Sequence, residues 1–292
     1  MSRILVTGAS GDLGRKTLLH LLERRPARDL VGLVRDPAKA TDLAARGIEL
    51  RRGDYLEPAS LAPAFAGIDR LMLTATHAFT DRNTAHANAI DAAVAAGVRH
   101  LVFMPILRKP RSSFTMKEIT EEDIFTVRRI RASGLTYTLA KHPPFLDNLS
   151  FYVGKRAQDT GVRVPAGHGK FTAATRDDLG AAHAAILADA GHENKEYALT
   201  GGPAISFADV AAVLSEATGK PVPYVTISEE EFRAPLLAQG IPDFVATFAL
   251  KWIEGMNHGE WAAESRDLET LIGHEPTSPT AYFRGPYLTG AP

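Results

Sequence analysis

The 292-residue chain contains no cysteine, which excludes disulfides, thiolate metal sites and cysteine nucleophiles together. It has almost no net charge. Its 33 Lys and Arg against 34 Asp and Glu leave −1, so neither nucleic acid nor a membrane surface is an expected partner. No apolar run approaches a membrane-spanning length, and the opening residues lack a signal-peptide pattern, so a cytoplasmic location is expected. The histidines are scattered without HExxH or similar ligand spacing, and no metal is expected. There is no GxSxG nucleophile elbow, no solenoid repeat and no low-complexity linker. The composition is that of an ordinary globular protein, with length for one or two domains.

What is present is concentrated at the start. Ile4-Leu5-Val6 reads as a short buried strand, followed by a turn punctuated by Gly8, Gly11 and Gly14. Beyond it Leu18, Leu21 and Leu22 repeat at helical spacing. In such a strand–turn–helix, glycines permit the sharp turn, the approach of a diphosphate and close helix packing. The phosphates would rest on free N–H groups at the helix start, where the dipole favours negative charge. The candidate cradle is Gly8, Ser10, Gly11, Asp12, Leu13 and Gly14.

Further strands follow at regular intervals. Leu30–Val34 ends in Arg35, whose charge suits the 2′-phosphate of NADP, while the adjacent Asp36 keeps NAD possible. A helix is expected from Pro37 to about Arg46. Ile48-Glu49-Leu50 leads to Asp54 and Tyr55, where Asp54 is read either as an acceptor for the adenine amino group or as a turn residue. Arg70–Thr76 ends in the small residues Thr74, Ala75 and Thr76, which let a cofactor lie close, and an alanine-rich helix follows from about Asn83 to Gly97. His100–Leu107 passes Met104, and LTYTLAK, after Gly134, reads as a sixth strand. Strands alternating with helices predict an α/β, doubly wound parallel Rossmann sheet.

TGASGDLG, LVRDP, RRGDY, NAIDAAVAAGVRHLVF and AKHPPFLDNL together resemble the NmrA-like branch of the atypical short-chain dehydrogenase/reductases. That branch includes quinone, triphenylmethane and isoflavone-type reductases, and regulators that bind NADP without turnover. The resemblance implies NADP(H) as cofactor. It also places His142 and Pro143 on a loop passing the nicotinamide, with Pro144, Phe145, Asn148 and Phe151 on the substrate side; Phe145, Phe151 and Tyr152 would offer flat walls for a planar substrate or simply pack under the loop.

The chain departs from the wider family at the proton donor. No serine follows the fifth strand, which ends Met104-Pro105. Tyr137 and Lys141 have Tyr-x-x-x-Lys spacing but lie on a strand. Their side chains are then roughly 13 Å apart, against about 6 Å on a helix, too far to share a proton. In isoflavone-reductase-like members a catalytic lysine lies eleven residues before the glycine ending the next helix; counting back from Gly134 reaches Asp123. Asp123 is read as a proton relay or, ahead of that, as a first-turn capping partner of Thr120. Lys117 is read as a second cation near the cleft or, ahead of that, as a solvated loop residue.

The second half is expected to hold a strand at Val162–Pro165, a helix capped by Asp177 and Asp178, and a strand at Glu196–Thr200. Helices are expected over Phe207–Thr218 and Glu229–Gln239. Phe244, Phe248, Trp252 and Met256 recur every four residues, as core or cleft wall. Residues 1–150, with return elements near 170–200, are read as the NADP-binding part, and 151–292 as a small, mostly helical substrate lid. The expected function is an NAD(P)H-dependent reductase of a flat, quinone-like molecule. The alternative is a redox-sensing regulator without turnover, and a monomer or homodimer fits either.

Overall fold

The computed structural model describes residues 2–290. In chain order the strands are β1 (Ile4–Val6), β2 (Leu30–Val34), β3 (Glu49–Arg52), β4 (Arg70–Leu73), β5 (His100–Phe103), β6 (Thr136–Lys141), β7 (Val162–Pro165), β8 (Lys195–Ala198) and β9 (Tyr224–Ile227). Seven of them form one sheet in the order β3-β2-β1-β4-β5-β6-β8, and every pairing in it is parallel. β7 leaves the sheet and pairs with β9 instead. The strand foreseen at Glu196–Thr200 therefore extends the main sheet as its edge.

The helices explain why the central strands are apolar throughout. They are α1 (Asp12–Leu22), α2 (Thr41–Ala45), α3 (Pro58–Phe65), α4 (Arg82–Ala95), α5 (Glu122–Ala132), α6 (Leu149–Val153), α7 (Ala157–Thr160), α8 (Arg176–Ala188), α9 (Phe207–Thr218), α10 (Glu229–Ala238), α11 (Asp243–Asn257), α12 (Asp267–Ile272), α13 (Pro279–Arg284) and α14 (Pro286–Thr289). α1 and α8 cover one face, packing Leu18, Leu21, Leu179 and Ile186 with Val6, Val34 and Met72. α3, α4 and α5 cover the other, packing Phe65, Ile90 and Ile130 with Leu5, Leu71 and Phe103. Strands buried on both faces have no polar side to alternate with. A third core joins α6, α9 and α11 to β7, with Phe171, Phe207, Ile253 and Trp261 at its centre.

Local departures have local causes. Pro37–Ala40 forms a 3₁₀ turn, so the helix expected from Pro37 to Arg46 is divided before α2. α8 is capped by Thr175, whose hydroxyl accepts from Asp178 N–H at 3.1 Å. Asp177 and Asp178 lie in its first turn, where the dipole still favours them.

Candidate active site

The chain runs from β1 outward to β3, then returns to β4 on the other side of β1. Ligands of such sheets bind at this reversal, beyond the carboxyl ends of the strands. Here the two strand ends are tied together. Thr74 N–H donates to Thr7 Oγ1 at 2.8 Å, and Thr74 Oγ1 donates to Thr7 O at 2.8 Å. Gly8 follows with φ +63, a left-handed turn that favours glycine. A Cβ on Gly14 would stand 2.5 Å from Gly8 O, so this cradle closes only around glycine. Gly11 is the N-cap of α1 and has no side chain to satisfy the first-turn N–H groups. They remain available to an anion.

A cavity of about 760 Å³ runs from this helix start along the sheet edge. It is lined by Gly8, Ser10, Gly11, Asp12, Leu13, Gly14, Arg35, Asp54 and Tyr55 at one end. Thr74, Ala75, Thr76, Met104, Asp123, His142, Pro144, Phe145 and Asn148 line the rest. Two expected residues are not on its wall. Phe151 points outward, and its neighbour Tyr152 takes the inward position, because adjacent residues on α6 face directions about 100° apart. Pro143 is buried behind the wall, with its carbonyl turned to His142. Lys117 is exposed and off the cavity.

Arg35 has no ion pair among the described residues, whereas Asp36 is occupied, accepting from Ala38 N–H at 3.0 Å as cap of the following turn. Asp54 plays the turn role too, with Oδ1 accepting from Leu56 N–H at 2.9 Å. It nonetheless borders the cavity.

The opposite end is built from rings. His142 stacks on Phe145 at 4.7 Å, and the Arg176 guanidinium covers the Phe145 ring at 4.3 Å. His142 Nδ1 bonds Pro143 O at 2.7 Å, and burial holds the ring at a lowered pKa of about 4, so it is neutral near pH 7. From α11, Phe248 and Trp252 form the facing wall. Met256 goes into the core, as the four-residue stripe allowed. Phe79, on the loop after β4, meets Phe244 at 4.8 Å and Phe248 at 5.0 Å across the cavity mouth. It holds φ +67, uncommon for a non-glycine residue.

Asp123 does not cap α5. Thr120, expected as its capping partner, turns back to Met116, and a single π turn, Lys117–Glu121, precedes the helix. Asp123 is buried, with Oδ2 accepting from Ile106 N–H at 2.7 Å and Oδ1 accepting from Arg82. Burial pushes its pKa up to about 6, against the opposing pull of Arg82 and Ile106. Arg82 is itself buried and lines the cavity, and Glu122 lies 3.2 Å from its Nε. Neither Arg82 nor Arg176 stands out in the sequence. Arg82 follows the helix cap Asp81, and its partner is 41 positions away.

A cleft with this floor takes a dinucleotide, and the protein is a dinucleotide-binding α/β protein of the doubly wound class. A family model described as NAD(P)H-binding matches residues 8–190, and the chain belongs to that family. Quinone oxidoreductase 2 of Escherichia coli (strain K12) is 36% identical over 276 residues, covering 94% of this chain and 95% of that protein. NAD(P)H azoreductase of Xenophilus azovorans is 34% identical over 244 residues, 83% of each. The structure of Citrobacter sp. triphenylmethane reductase complexed with NADP(H) matches with a TM-score of 0.88 at 31% identity, over 97% of this chain and 99% of that one. The kinship with NmrA-like reductases holds, and the chain is an NADPH-dependent oxidoreductase with NADP(H) as cofactor. No helix among the described residues is long and apolar enough to cross a membrane.

Proposed function

We propose that the protein reduces flat, quinone-like aromatic acceptors. The observation carrying this reading is the continuity of one cavity from the glycine cradle to a wall of Phe145, Tyr152, Phe248 and Trp252. Ring walls with few polar groups select planar apolar molecules and fix their plane. In this reading the diphosphate lies on the start of α1, the 2′-phosphate at Arg35 and the adenine beside Asp54. Thr74–Thr76, Met104, His142 and Pro144 border the nicotinamide. When bound, the reduced nicotinamide supplies hydride. The chain's contribution is then to hold the acceptor parallel and close and to exclude water, which is catalysis by positioning. Residues 1–150 supply the cofactor side, and 151–292 most of the acceptor side.

The absence of a Ser/Tyr/Lys set accords with such acceptors, whose reduced anions are stable enough to take a proton from water. Calorimetric titration with NADPH, NADP, NADH and NAD, followed by turnover with quinones and azo compounds, tests the reading. The expected result is preference for the phosphorylated forms and oxidation of NADPH by quinones. In Arg35→Ala, NADPH affinity should fall roughly tenfold or more, the loss of a charge-assisted contact, with NADH little changed. Equal losses for both cofactors would remove Arg35 from the site. Tight NADPH binding without oxidation by any acceptor would replace the reductase by a sensor.

A further inference from the structure

Three arginines line the cavity: Arg35, Arg82 and Arg176. Arg35 stands at the end of β2, away from the ring wall. Arg176 is engaged by Asp147 and Asn148 and lies on Phe145. Arg82 is different. It is only 2% exposed, and it sits three positions beyond Phe79, whose ring closes on Phe248. One edge of its guanidinium is held, with Nη2 donating to Asp123 and Nε facing Glu122. Asp123 is in turn fixed by the Ile106 N–H just beyond β5. Nη1 has no partner among the described residues. Buried Nε has no hydrogen-bond partner among the described residues, whereas Nη1 is not sealed off in this way and offers its donors to the cavity that Arg82 lines.

We infer that Arg82 is the polar anchor of the acceptor. Its Nη1 donates to a carbonyl oxygen conjugated with the position that is reduced, and so makes this site selective for neutral carbonyl acceptors over cationic ones. The inference rests on the reductase reading above. For a quinone or enone, hydride adds at the conjugated carbon, the double-bond electron pair shifts, and the carbonyl oxygen becomes an oxyanion. A solvent proton then neutralises that oxygen, while Arg82 stays protonated throughout. The charge thus develops at the donor. Asp123 and Glu122 lie against the other edge of the guanidinium, farther from the oxygen than Nη1, and Coulomb energy falls with distance. His86, packed nearby, is neutral: burial and Arg82 lower its pKa to about 3. A cationic dye behaves oppositely. Hydride cancels its charge, no oxyanion forms, and Nη1 finds no developing charge to stabilise. Asp123 is on this account a positioning residue, holding Arg82 rather than touching the acceptor.

Arg82→Gln provides the test, read in two ways. The ratio of kcat/KM for a neutral quinone to that for a cationic triphenylmethane dye should fall about 100-fold, the scale of losing one oxyanion donor. Independently of turnover, 4-nitrophenol bound to the NADP-loaded protein should titrate below its midpoint in water, read from phenolate absorbance. In the variant it should return toward the free value. If Arg82→Gln alone fails to fold, Arg82→Gln with Asp123→Asn leaves no unpaired Asp123 carboxylate and reports the same quantities. An unchanged acceptor ratio together with an unshifted phenol in the wild type would overturn the inference while leaving the reductase reading intact. Failure of the wild type to reduce either class would instead remove that reading itself.

Discussion

At Asp123, two carboxylate oxygens meet two donors that have nowhere to go, the Arg82 guanidinium and the Ile106 N–H. Asparagine keeps the shape but offers one acceptor and one donor. Whichever way the amide turns, one buried donor faces another. Asp123→Asn should therefore lower unfolding stability by about 1–3 kcal/mol, the cost of a buried group left unsatisfied. Urea unfolding at neutral pH measures it. A loss well under about 1 kcal/mol, as for a tolerated change near a helix start, would restore the capping role. The position of Asp123 near the start of α5 was legible from the acidic residues before the apolar positions. Its partner was not, because packing of α4 on α5 joins residues 41 apart, and no local pattern records that.

Among the elements, β6 decides what Tyr137 can do. Thr136–Lys141 pairs with β5 and β8, and Lys141 Nζ reaches Glu196 at 2.6 Å rather than Tyr137. Tyr137→Phe should leave kcat within about twofold, as expected of a change outside the site. Steady-state assays with a quinone check this, and a loss of a hundredfold would place Tyr137 in the chemistry. Elements with strong local signals were read closely. β7 and α9 have the expected bounds, the latter because Ser206 and Asp209 form a reciprocal cap and Gly219 ends the helix in a left-handed turn. Elements without such signals were less legible. On the five residues of α6 the sequence holds two adjacent aromatics and nothing to fix the phase, so both are expected as walls and only Tyr152 turns inward. The cradle was legible because its chemistry is local. The ring wall was legible only as a stripe, since which of Phe244, Phe248, Trp252 and Met256 face the cavity depends on the third core.

For the whole molecule, the distribution of histidine sets the response to acid. His86, His100, His142 and His183 are buried, and burial lowers their pKa values to about 3, 4, 4 and 3. An unfolded chain takes up protons at these residues from about pH 6.5 downward, while the folded one does not. Stability is thus fully present above about pH 6.5 and lost progressively as the pH falls toward about 4. Asp123 and Glu122 act with the opposite sign, since burial raises both carboxyl pKa values and so favours the folded state as the pH falls, but they are two groups against four. Scanning calorimetry should show Tm falling steadily across that interval. A flat profile would mean that these histidines find proton-accepting partners on acidification.

Phe79 bears on time rather than on affinity. Its left-handed backbone costs about 1–2 kcal/mol. Its two edge-on ring contacts return about 0.5–1.5 kcal/mol each. The two nearly cancel, so little net free energy holds Phe79 against α11. A glycine at 79 removes strain and rings together and should shift the acceptor KM by no more than about threefold, less than 1 kcal/mol. With so little holding Phe79 to α11, passage of acceptor and product past it should not limit turnover.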